Sequence, residues 1–493
     1  MRGWRRNNKR RHAPDLKKAT RKQMAILVVG AAVLMLAAPA ISHAENAQTA
    51  QDITPEARLS SAQDGRTLRR MRDGTVETYS KFAPEEVFSL TWPSEAAVRT
   101  AYVKWYTLPD CVILVQSDED GMEISRERID EPGFNDCYPI LPEARALSLV
   151  SDGGMQIAEI TLYSEGTLPD GVYNWLSPLQ KADLLLVSAH CDDEFIFFGG
   201  TIPYYAGERK LGVQVVYMAN GERARVDEAL NGLWHAGVRN APVFMPFKDV
   251  YTESLRLALL NWGEEETTGA LVSLIRRFQP EVIVTHDLEG EYGHGAHIAT
   301  AVCMLNAVPL AADASVFSDS FAAYGAWQAQ KLYLHLYPED KITMDWNQPL
   351  PAFGGKTALE VANEAYHMHV SQLKYHSNVY GSGQYSSLEY GLAYTVVGPD
   401  TAKKDFFEHI DPARLSDYIA PTPAPTETPA PAATLAPTVQ PTAAPTVVPE
   451  ASTQSGVPTL LITGAVILIA AAAAVPVFMK QRARKTQNSN RSK

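Results

Sequence analysis

The chain has 493 residues, enough for two or three domains, and a formal net charge of −12 at pH 7. Basic side chains cluster at its two ends, so the long middle of the chain is more acidic than the total suggests. Such a surface repels phosphate backbones, which excludes nucleic acid as an expected partner and favours neutral or cationic ones.

Residues 1–44 predict an export signal or an uncleaved signal anchor. Lysine and arginine crowd the first part, an apolar run from Met24 to Ile41 follows, and small residues allow cleavage after Ala44. Residues 45–81 are polar and show no hydrophobic periodicity, so we expect a loosely ordered lead-in.

Short alternating strand patterns separated by Gly, Asp and Pro predict a small all-β sandwich over residues 82–170. The strand patterns lie at 101–106, 111–116, 146–150 and 157–163. The closing stretch resembles the last strands of discoidin-like, galactose-binding sandwiches. A structural spacer and a glycan-contacting module both remain open as roles for this domain.

Two cysteines of this segment, Cys111 and Cys137, allow two interpretations. In an exported protein they could form a disulfide bond worth about 3 kcal/mol. The alternative is a pair of buried free thiols.

Residues 178–416 alternate strand and helix patterns, which predicts an α/β domain with a Rossmann-like, mainly parallel sheet. Helical patterns such as Val226 to Ala236 and Thr268 to Phe278 separate the strands, and a further helical pattern runs from Gly354 through Tyr375. The strand patterns lie at 183–189, 213–219, 242–247, 281–286 and 331–337.

The C-terminal part predicts a tethered membrane protein. Residues 420–456 are rich in Pro, Thr and Ala and form an extended stalk rather than a core. Residues 457–479 are apolar and long enough to cross a bilayer, and the basic tail 480–493 stays cytoplasmic by the positive-inside rule. We therefore expect a single-pass cell-membrane protein whose middle part is extracytoplasmic, in contact with the cell wall.

Metal-ligating side chains follow two of the predicted strands. Ala189-His190-Cys191-Asp192-Asp193-Glu194 follows the first strand, and the run from His286 to His297 follows the strand at 281–286. Open α/β sheets bind ligands at the carboxyl ends of their strands. His190 and Asp193 are three apart on one turn and His297 opens a helical stretch, so the three can supply a catalytic zinc that keeps one position open for water. Asp192 then points toward that water as general base.

These two motifs resemble those of the PIG-L/LmbE-like zinc deacetylases, which remove the acetyl group from N-acetylglucosamine-type sugars. The resemblance is strongest over residues 183–310 and implies Zn²⁺ as cofactor. By position it implies that His190, Asp193 and His297 bind zinc and that Asp192 is the base. It also implies that His294 and Tyr292 stabilise the oxyanion, with His294 as a candidate acid for the leaving amine, and that Arg225 and His369 contact substrate.

The chain departs from the family pattern at two positions. Cys191 replaces a proline, which changes the stiffness of the loop but removes no ligand. Ala296 replaces the aspartate that orients the first histidine of the second motif, which leaves His294 less fixed and less basic. We expect a slower enzyme or a shifted pH optimum, with metal binding intact.

The function we predict is that of a zinc-dependent amidohydrolase that removes N-acetyl groups from N-acetylglucosamine-type sugars of envelope glycans or glycoconjugates. Two alternatives remain. One is a surface glycan-binding protein with a decayed PIG-L site, for which Ala296 is the support. The other is an amidase of the same family that removes a different acyl group.

Overall fold

A computed structural model of the chain describes residues 48–63, 65–219 and 221–416. The predicted signal at 1–44, the stalk at 420–456, the apolar segment 457–479 and the tail 480–493 lie outside the described residues.

The predicted localisation needs correction. Within the described ranges, every helix is too short or too polar to cross a bilayer. The apolar runs from which a cell-membrane protein with an extracytoplasmic middle was predicted lie outside those ranges, so no membrane anchor is shown.

The described ranges contain two groups of strands. The first group is β1 (Arg58–Ser60), β2 (Ser80–Phe82), β3 (Phe88–Thr91), β4 (Val98–Thr107), β5 (Val112–Ser117), β6 (Glu123–Ile129), β7 (Asn135–Pro139), β8 (Ala146–Val150) and β9 (Met155–Ser164). The second group is β10 (Leu184–Ser188), β11 (Val213–Ala219), β12 (Val243–Phe247), β13 (Val282–Thr285), β14 (Lys331–His335), β15 (Lys341–Thr343), β16 (Pro349–Leu350), β17 (Lys356–Thr357) and β18 (Glu389–Thr395).

Most α-helices belong to the second half of the described chain. They are α1 (Gly65–Leu68), α2 (Asp193–Ile196), α3 (Arg223–His235), α4 (Leu255–Trp262), α5 (Glu264–Phe278), α6 (Gly290–Gly293), α7 (Gly295–Ala311), α8 (Ser318–Tyr324) and α9 (Ala358–Tyr366). A π-helical turn spans Pro203–Glu208, and short 3₁₀ turns lie at Thr54–Glu56, Arg69–Arg72, Pro351–Phe353 and Pro412–Arg414. The described chain is thus a mixed α/β structure with several sheets.

The first half of the described chain contains two antiparallel sheets. The five-stranded sheet has the order β1-β3-β8-β5-β6, and the four-stranded sheet has the order β2-β9-β4-β7. Side chains from both sheets bury together in one hydrophobic cluster, with Trp105, Phe82 and Phe88 almost fully enclosed. Alternate residues of β5 are buried, as expected for a strand with one face on a core.

Residues 45–81 contain regular structure that their sequence did not reveal. They include β1 and most of β2, and Met71 is fully buried in the cluster shared by the two sheets. Both strands have only three residues, which is too short for a hydrophobic period to show.

Of the two interpretations of Cys111 and Cys137, the structure has the free thiols: neither cysteine forms a disulfide bond, Cys111 is buried and Cys137 is half-buried. Cys111 directly precedes β5 of the five-stranded sheet, whereas Cys137 lies on β7 at the edge of the four-stranded sheet. The Cys137 thiol lies 3.5 Å from the carbonyl oxygen of Tyr173 instead. The two cysteines are close in sequence, but the chain carries them to different sheets.

The second half is built on a seven-stranded sheet with the order β12-β11-β10-β13-β14-β18-β15. The first five strands pair in parallel, whereas β18 pairs antiparallel with β14 and β15. Residues alternate along the central strands between two hydrophobic clusters, with Leu184 and Leu186 in one and Leu185 and Val187 in the other. Both faces of the sheet are therefore covered, which explains why these strands read as continuous apolar runs.

The helix predicted from Gly354 to Tyr375 is shorter than its pattern. α9 begins with a capping box between Thr357 and Glu360 and ends at Tyr366. Ser371 then donates hydrogen bonds from its backbone nitrogen (2.8 Å) and its hydroxyl (2.6 Å) to the carboxylate of Glu228. These contacts with α3 replace the helical hydrogen bonds that the local sequence would favour.

A buried polar cluster joins the all-β half to the α/β half. The guanidinium of Arg223 on α3 donates to the carbonyl oxygen of Trp105 (2.7 Å) and to Asp227 Oδ1 (2.7 Å). Lys104 and Asn135 of the β-sheets also bind the Asp227 carboxylate, at 2.7 and 2.8 Å. Asp227 is therefore the common acceptor for groups from both halves.

Substituting Asp227 should destabilise the protein strongly. An Asp227→Ala variant leaves the buried guanidinium of Arg223 and the half-buried ammonium of Lys104 without their counter-charge, so we expect the free energy of unfolding to fall by about 3 kcal/mol. Urea denaturation followed by circular dichroism measures this change, with Asp120→Ala in an exposed turn as control. A loss no larger than that of the control would contradict the role of this cluster.

The same contact predicts a pH dependence. Burial acts to raise the pKa of Asp227, but the charges of Arg223 and Lys104 outweigh it and lower that pKa. A carboxyl group whose pKa is lower in the folded state than in the unfolded state stabilises the fold when the pH is above its unfolded pKa of about 3.9. This contribution to stability disappears as the pH falls through the pKa of the folded state. The difference in stability between the parent and Asp227→Ala should therefore shrink below about pH 4.

Candidate active site

The topology of the parallel sheet brings the two sequence motifs together. From β10 the chain moves to β11 and β12 on one side, and later returns to place β13 on the other side of β10. The carboxyl ends of β10 and β13 thus form a switch point, where open α/β sheets bind ligands. The segment 189–194 follows β10 and the segment 286–297 follows β13, so both lie at this point.

The three predicted metal ligands converge there. Asp193 Oδ2 lies 3.0 Å from His190 Nδ1 and 3.2 Å from His297 Nε2, and the two imidazole nitrogens are 3.3 Å apart. Tetrahedral zinc with bonds of about 2.0–2.1 Å requires ligand atoms about 3.3 Å from one another. The triangle of two nitrogens and one carboxylate oxygen therefore has the size of one face of a zinc tetrahedron.

The remaining polar atoms of His190 agree with a metal-ligating role for its Nδ1. Its Nε2 is buried and has no hydrogen-bond partner within the described residues. The nearest carboxylate oxygen, Asp249 Oδ1, lies 3.7 Å from this nitrogen. Metal-ligating histidines usually turn their second ring nitrogen toward such a carboxylate, so Asp249 can orient His190.

Glu291 is one of the residues of this site that sequence reasoning missed, together with Asp249 and His335. The fully buried carboxylate of Glu291 accepts from three imidazoles and a backbone amide: His297 Nδ1 (2.6 Å), His335 Nδ1 (2.9 Å), His286 Nδ1 (3.2 Å) and Asp287 N (3.2 Å). Burial acts to raise the pKa of Glu291, but the electrostatic interactions and hydrogen bonds with His286 and His297 hold it well below its ordinary range. The carboxylate thus keeps the proton of His297 on Nδ1 and leaves Nε2 free as a ligand.

The signal for Glu291 was present in the second motif, which carries several carboxylates between its histidines. The backbone of Glu291 has φ 57° and ψ −75°. A non-glycine residue keeps such a conformation only where the surroundings demand it, which is common at functional sites. In this conformation the Glu291 carboxylate faces the imidazoles of His286, His297 and His335.

His286 lies beside the ligand triangle, and its ring is close enough to Asp193 and His297 for these three side chains to hold one metal ion as well. The Nε2 of His286 accepts a hydrogen bond from the backbone nitrogen of Ala189 (2.8 Å), and its Nδ1 faces Glu291. Both ring nitrogens are therefore engaged, although Nε2 lies only 3.7 Å from Asp193 Oδ2.

Asp192 lies beside the ligand triangle. Its backbone has φ 133°, and its amide nitrogen donates to Glu194 Oε2 (2.7 Å). Burial, together with the adjacent charge of Asp193, raises the pKa of Asp192 well above the usual range of a carboxyl group. A buried carboxylate with a raised pKa is suited to accept a proton near neutral pH.

Arg225 faces this carboxylate. Its guanidinium donates to Asp192 Oδ1 (3.0 Å), to the carbonyl oxygen of Cys191 (2.7 Å) and to Asp249 Oδ2 (3.2 Å). The structure thus places Arg225, which the resemblance assigns to substrate, in contact with the candidate base.

His294 is held by the backbone of α7. It is the N-cap residue of that helix, and its Nδ1 accepts from the backbone nitrogen of Ala296 (3.2 Å). The proton of the neutral ring therefore lies on Nε2. Burial and the neighbouring His297 lower the pKa of His294 to about 3, so the ring remains a neutral hydrogen-bond donor.

Two other predicted site residues differ in their surroundings. Tyr292 is 45% exposed, with its ring centroid 5.8 Å from that of His294. His369 is fully buried, and its Nε2 lies 2.9 Å from Glu194 Oε1. Tyr292 is thus open to a ligand beside the predicted metal ligands, whereas the buried His369 contacts Glu194.

Comparison with known proteins agrees with this geometry. A family model described as "PIG-L: GlcNAc-PI de-N-acetylase" matches residues 185–308. A 1D-myo-inositol 2-acetamido-2-deoxy-alpha-D-glucopyranoside deacetylase of Mycobacterium leprae (strain Br4923) is 30% identical over 186 residues, which is 31% of this chain and 59% of the relative. The deacetylase of the same name from Thermobifida fusca (strain YX) is 30% identical over 210 residues, which is 36% of this chain and 71% of the relative.

The chain belongs to the PIG-L family. It spans 59% of the length of the Mycobacterium leprae relative. Among solved structures, the conserved protein TT1542 from Thermus thermophilus aligns with a TM-score of 0.29 and 18% identity, over 39% of this chain and 80% of that one. The PIG-L match begins in β10 and ends within α7, so it contains His190, Asp193 and His297.

Ala296 departs from the PIG-L pattern, and the structure suggests what a carboxylate there would do. An Ala296→Asp side chain would lie next to His294 and favour its protonated ring. We expect the pH profile of kcat/KM to gain an ionisation between about pH 5 and 8 that the parent lacks. Ala296→Ser, which adds no charge, is the control, and superimposable profiles for parent and Ala296→Asp would contradict this interpretation.

Proposed function

We propose that the protein is a zinc-dependent hydrolase that removes the N-acetyl group from N-acetylglucosamine-type sugars. The observation that carries the proposal is the triangle of His190, Asp193 and His297, with Asp192 beside it at the switch point of the sheet. The names of the family and of the two relatives describe deacetylases of acetamido sugars, which supports the same substrate class.

The ligand set favours zinc among divalent cations. Two imidazole nitrogens and one carboxylate oxygen suit a small tetrahedral ion with one open position, rather than the all-oxygen sites of magnesium and calcium. When bound, such an ion supplies Lewis acidity that polarises the amide carbonyl and makes water more acidic.

The residues around the ligand triangle provide the proton transfers. Asp192 accepts a proton from the attacking water and returns it to the leaving amine, which balances the hydrolysis of the amide to acetate and a free amino sugar. Arg225 donates a hydrogen bond to Asp192 Oδ1 and thereby restricts the orientation of this carboxylate.

His294 and Tyr292 stabilise the negative charge that develops on the carbonyl oxygen. The neutral His294 ring offers its Nε2 proton, because Nδ1 is occupied by the backbone nitrogen of Ala296. The exposed Tyr292 hydroxyl is the second donor. In this assignment His294 acts by hydrogen bonding rather than as the acid for the leaving amine.

His369 acts through other residues. It braces Glu194, and Glu194 holds the backbone nitrogen of Asp192 in its strained conformation. The conformation of Asp192 therefore depends on two buried residues, Glu194 of α2 and His369 in the turn after α9.

We also propose that residues 82–170 form a sandwich domain that serves as a spacer or contacts glycans. Its two sheets share one core, and the Asp227 cluster ties it to the α/β half. The decayed-site alternative still has Ala296 as its only support, while the backbone nitrogen of that residue donates to His294 Nδ1.

Acetate release by the purified full-length protein tests the proposal. The assay covers N-acetylglucosamine, its inositol glycosides, and cell-wall and lipid-linked glycans, with Zn²⁺ added and mass spectrometry to identify the new amine. If none of these substrates releases acetate, the proposal is overturned. Release of a larger acyl group instead would favour the alternative, an amidase of the same family that removes a different acyl group.

Removal of the metal should abolish the activity. Dialysis against a chelator is expected to lower both acetate release and thermal stability, because an ion that binds only the folded state stabilises it by about 3–4 kcal/mol at 100 to 1,000 times its Kd. Addition of Zn²⁺ should restore both. Full activity in protein shown by elemental analysis to hold less than about a tenth of an equivalent of metal would contradict the role of the ligand triangle.

A further inference from the structure

The loop between β12 and α4, residues 248–254, forms part of the rim of the site. Its backbone and side-chain acceptors are held by three other elements: Lys248 O accepts from Trp262 Nε1 (2.9 Å), Asp249 Oδ2 from Arg225 Nη1 (3.2 Å), and Thr252 O from Gly295 N (2.8 Å). Gly295 allows this last contact, since a Cβ atom there would lie 2.2 Å from Thr252 Oγ1. The loop is therefore anchored on both sides of its central residues.

Those central residues, Val250 and Tyr251, are exposed. Tyr251 is 61% exposed and Val250 is 43% exposed. The Tyr251 ring packs edge-on against His294, with centroids 5.0 Å apart and an interplanar angle of 81°. A rigid loop thus presents an apolar aromatic surface to solvent directly beside a residue of the candidate active site. Binding residues are disproportionately found on loops that a rigid scaffold positions in this way.

We propose that Tyr251, with Val250, binds the sugar ring next to the reacting residue, so that the preferred substrate is an oligosaccharide. This inference rests on the proposed deacetylase function. A pyranose ring has a face of C–H groups that packs against an aromatic ring, while the tyrosine hydroxyl stays available for its hydroxyl groups. A single sugar at the ligand triangle would leave this surface uncovered.

The polar neighbours of Tyr251 fit the same ligand. The Asp249 carboxylate, two residues before Tyr251, pairs with Arg225 and is 29% exposed, so it can accept further hydrogen bonds from sugar hydroxyls or bind the amine of a sugar that is already deacetylated. The acidic character of the chain agrees with a neutral or cationic glycan. Tyr251 therefore determines the length of the glycan that is bound, whereas the ligand triangle and Asp192 determine the reaction.

Kinetics with β-1,4-linked N-acetylglucosamine oligomers test the inference. The full-length protein should use the trisaccharide with a kcat/KM about tenfold higher than the monosaccharide, because of the stacking contact. Tyr251→Ala should bring this ratio close to one. Tyr251→Phe, which keeps the ring, and Tyr324→Ala, which removes an exposed tyrosine of α8, should both preserve it. An unchanged ratio in Tyr251→Ala, with acetate still released, overturns the inference and leaves the proposed function in place.

Binding measured on an inactive background separates the two proposals. Calorimetry with the Asp192→Asn protein should show about tenfold tighter binding of the trisaccharide than of the monosaccharide, and loss of that difference when Tyr251→Ala is added. If this pattern holds while the parent releases no acetate, the sugar-binding surface stands and the deacetylase proposal fails. If the two sugars bind equally, the inference is overturned whatever the enzymatic result.

Discussion

An Asp192→Asn variant should retain its metal and hydrolyse N-acetylated sugars about 1,000-fold more slowly than the parent, because general base catalysis contributes roughly 10²–10⁴-fold. Asparagine has almost the same shape but cannot accept the proton of the attacking water. The Arg225 guanidinium keeps its hydrogen bond to the carbonyl oxygen of Cys191, so the loop should remain folded. The measurements are acetate release for kcat and elemental analysis for bound zinc.

The neighbouring position supplies the matched comparison. Asp193→Asn makes the same chemical change one residue later, but it neutralises the oxygen that faces both His190 and His297. This variant should lose metal and activity together, whereas Asp192→Asn should lose only activity. If Asp192→Asn kept more than about a tenth of the parent rate, the general base would have to be another group.

A Glu291→Gln variant should bind zinc about 10- to 100-fold more weakly than the parent. The carboxylate accepts from three imidazoles and one backbone amide, whereas a glutamine side chain has one acceptor oxygen and turns an amide nitrogen toward other donors. His297 then loses the partner that holds its Nε2 toward the other ligands. The buried histidines His286 and His335 also lose the acceptor for their Nδ1 protons, so we expect the free energy of unfolding to fall by about 2 kcal/mol.

Zinc affinity in competition with a chelating dye, together with urea denaturation, measures both effects. Glu289→Gln is the control, since it makes the same substitution at an exposed position two residues earlier. Zinc affinity in Glu291→Gln within about twofold of that in Glu289→Gln would exclude the supporting role of this carboxylate.

The position of the candidate site was predictable because its information is local. Continuous apolar runs identified β10 and β13, and the polar groups directly after them identified the edge of the sheet where they meet. His190 and Asp193 belong to one turn, and His297 to the first turn of α7, so their spacing along the chain already constrained their geometry.

Other features depend on residues that are distant along the chain. His335 reaches Glu291 from the end of β14, and His369 reaches Glu194 from the turn after α9. Arg223 reaches the carbonyl oxygen of Trp105, 118 residues earlier. Neither the spacing nor the type of these residues distinguishes such pairs from ordinary buried side chains, because the pairing is made by the packing of whole elements.

The amino-acid sequence by itself determined the class of the sheet and the residues that can hold a metal ion, since hydrophobic period and ligand spacing are properties of neighbouring residues. The tertiary structure decided which partner each of these residues has. It placed Arg225 beside the candidate base and made the backbone nitrogen of Ala296 a donor to His294. It also kept the thiols of Cys111 and Cys137 apart and left Tyr251 exposed beside His294. Burial and hydrogen bonding between distant segments are set only when the chain folds, because a side chain's surroundings depend on every element that packs against it.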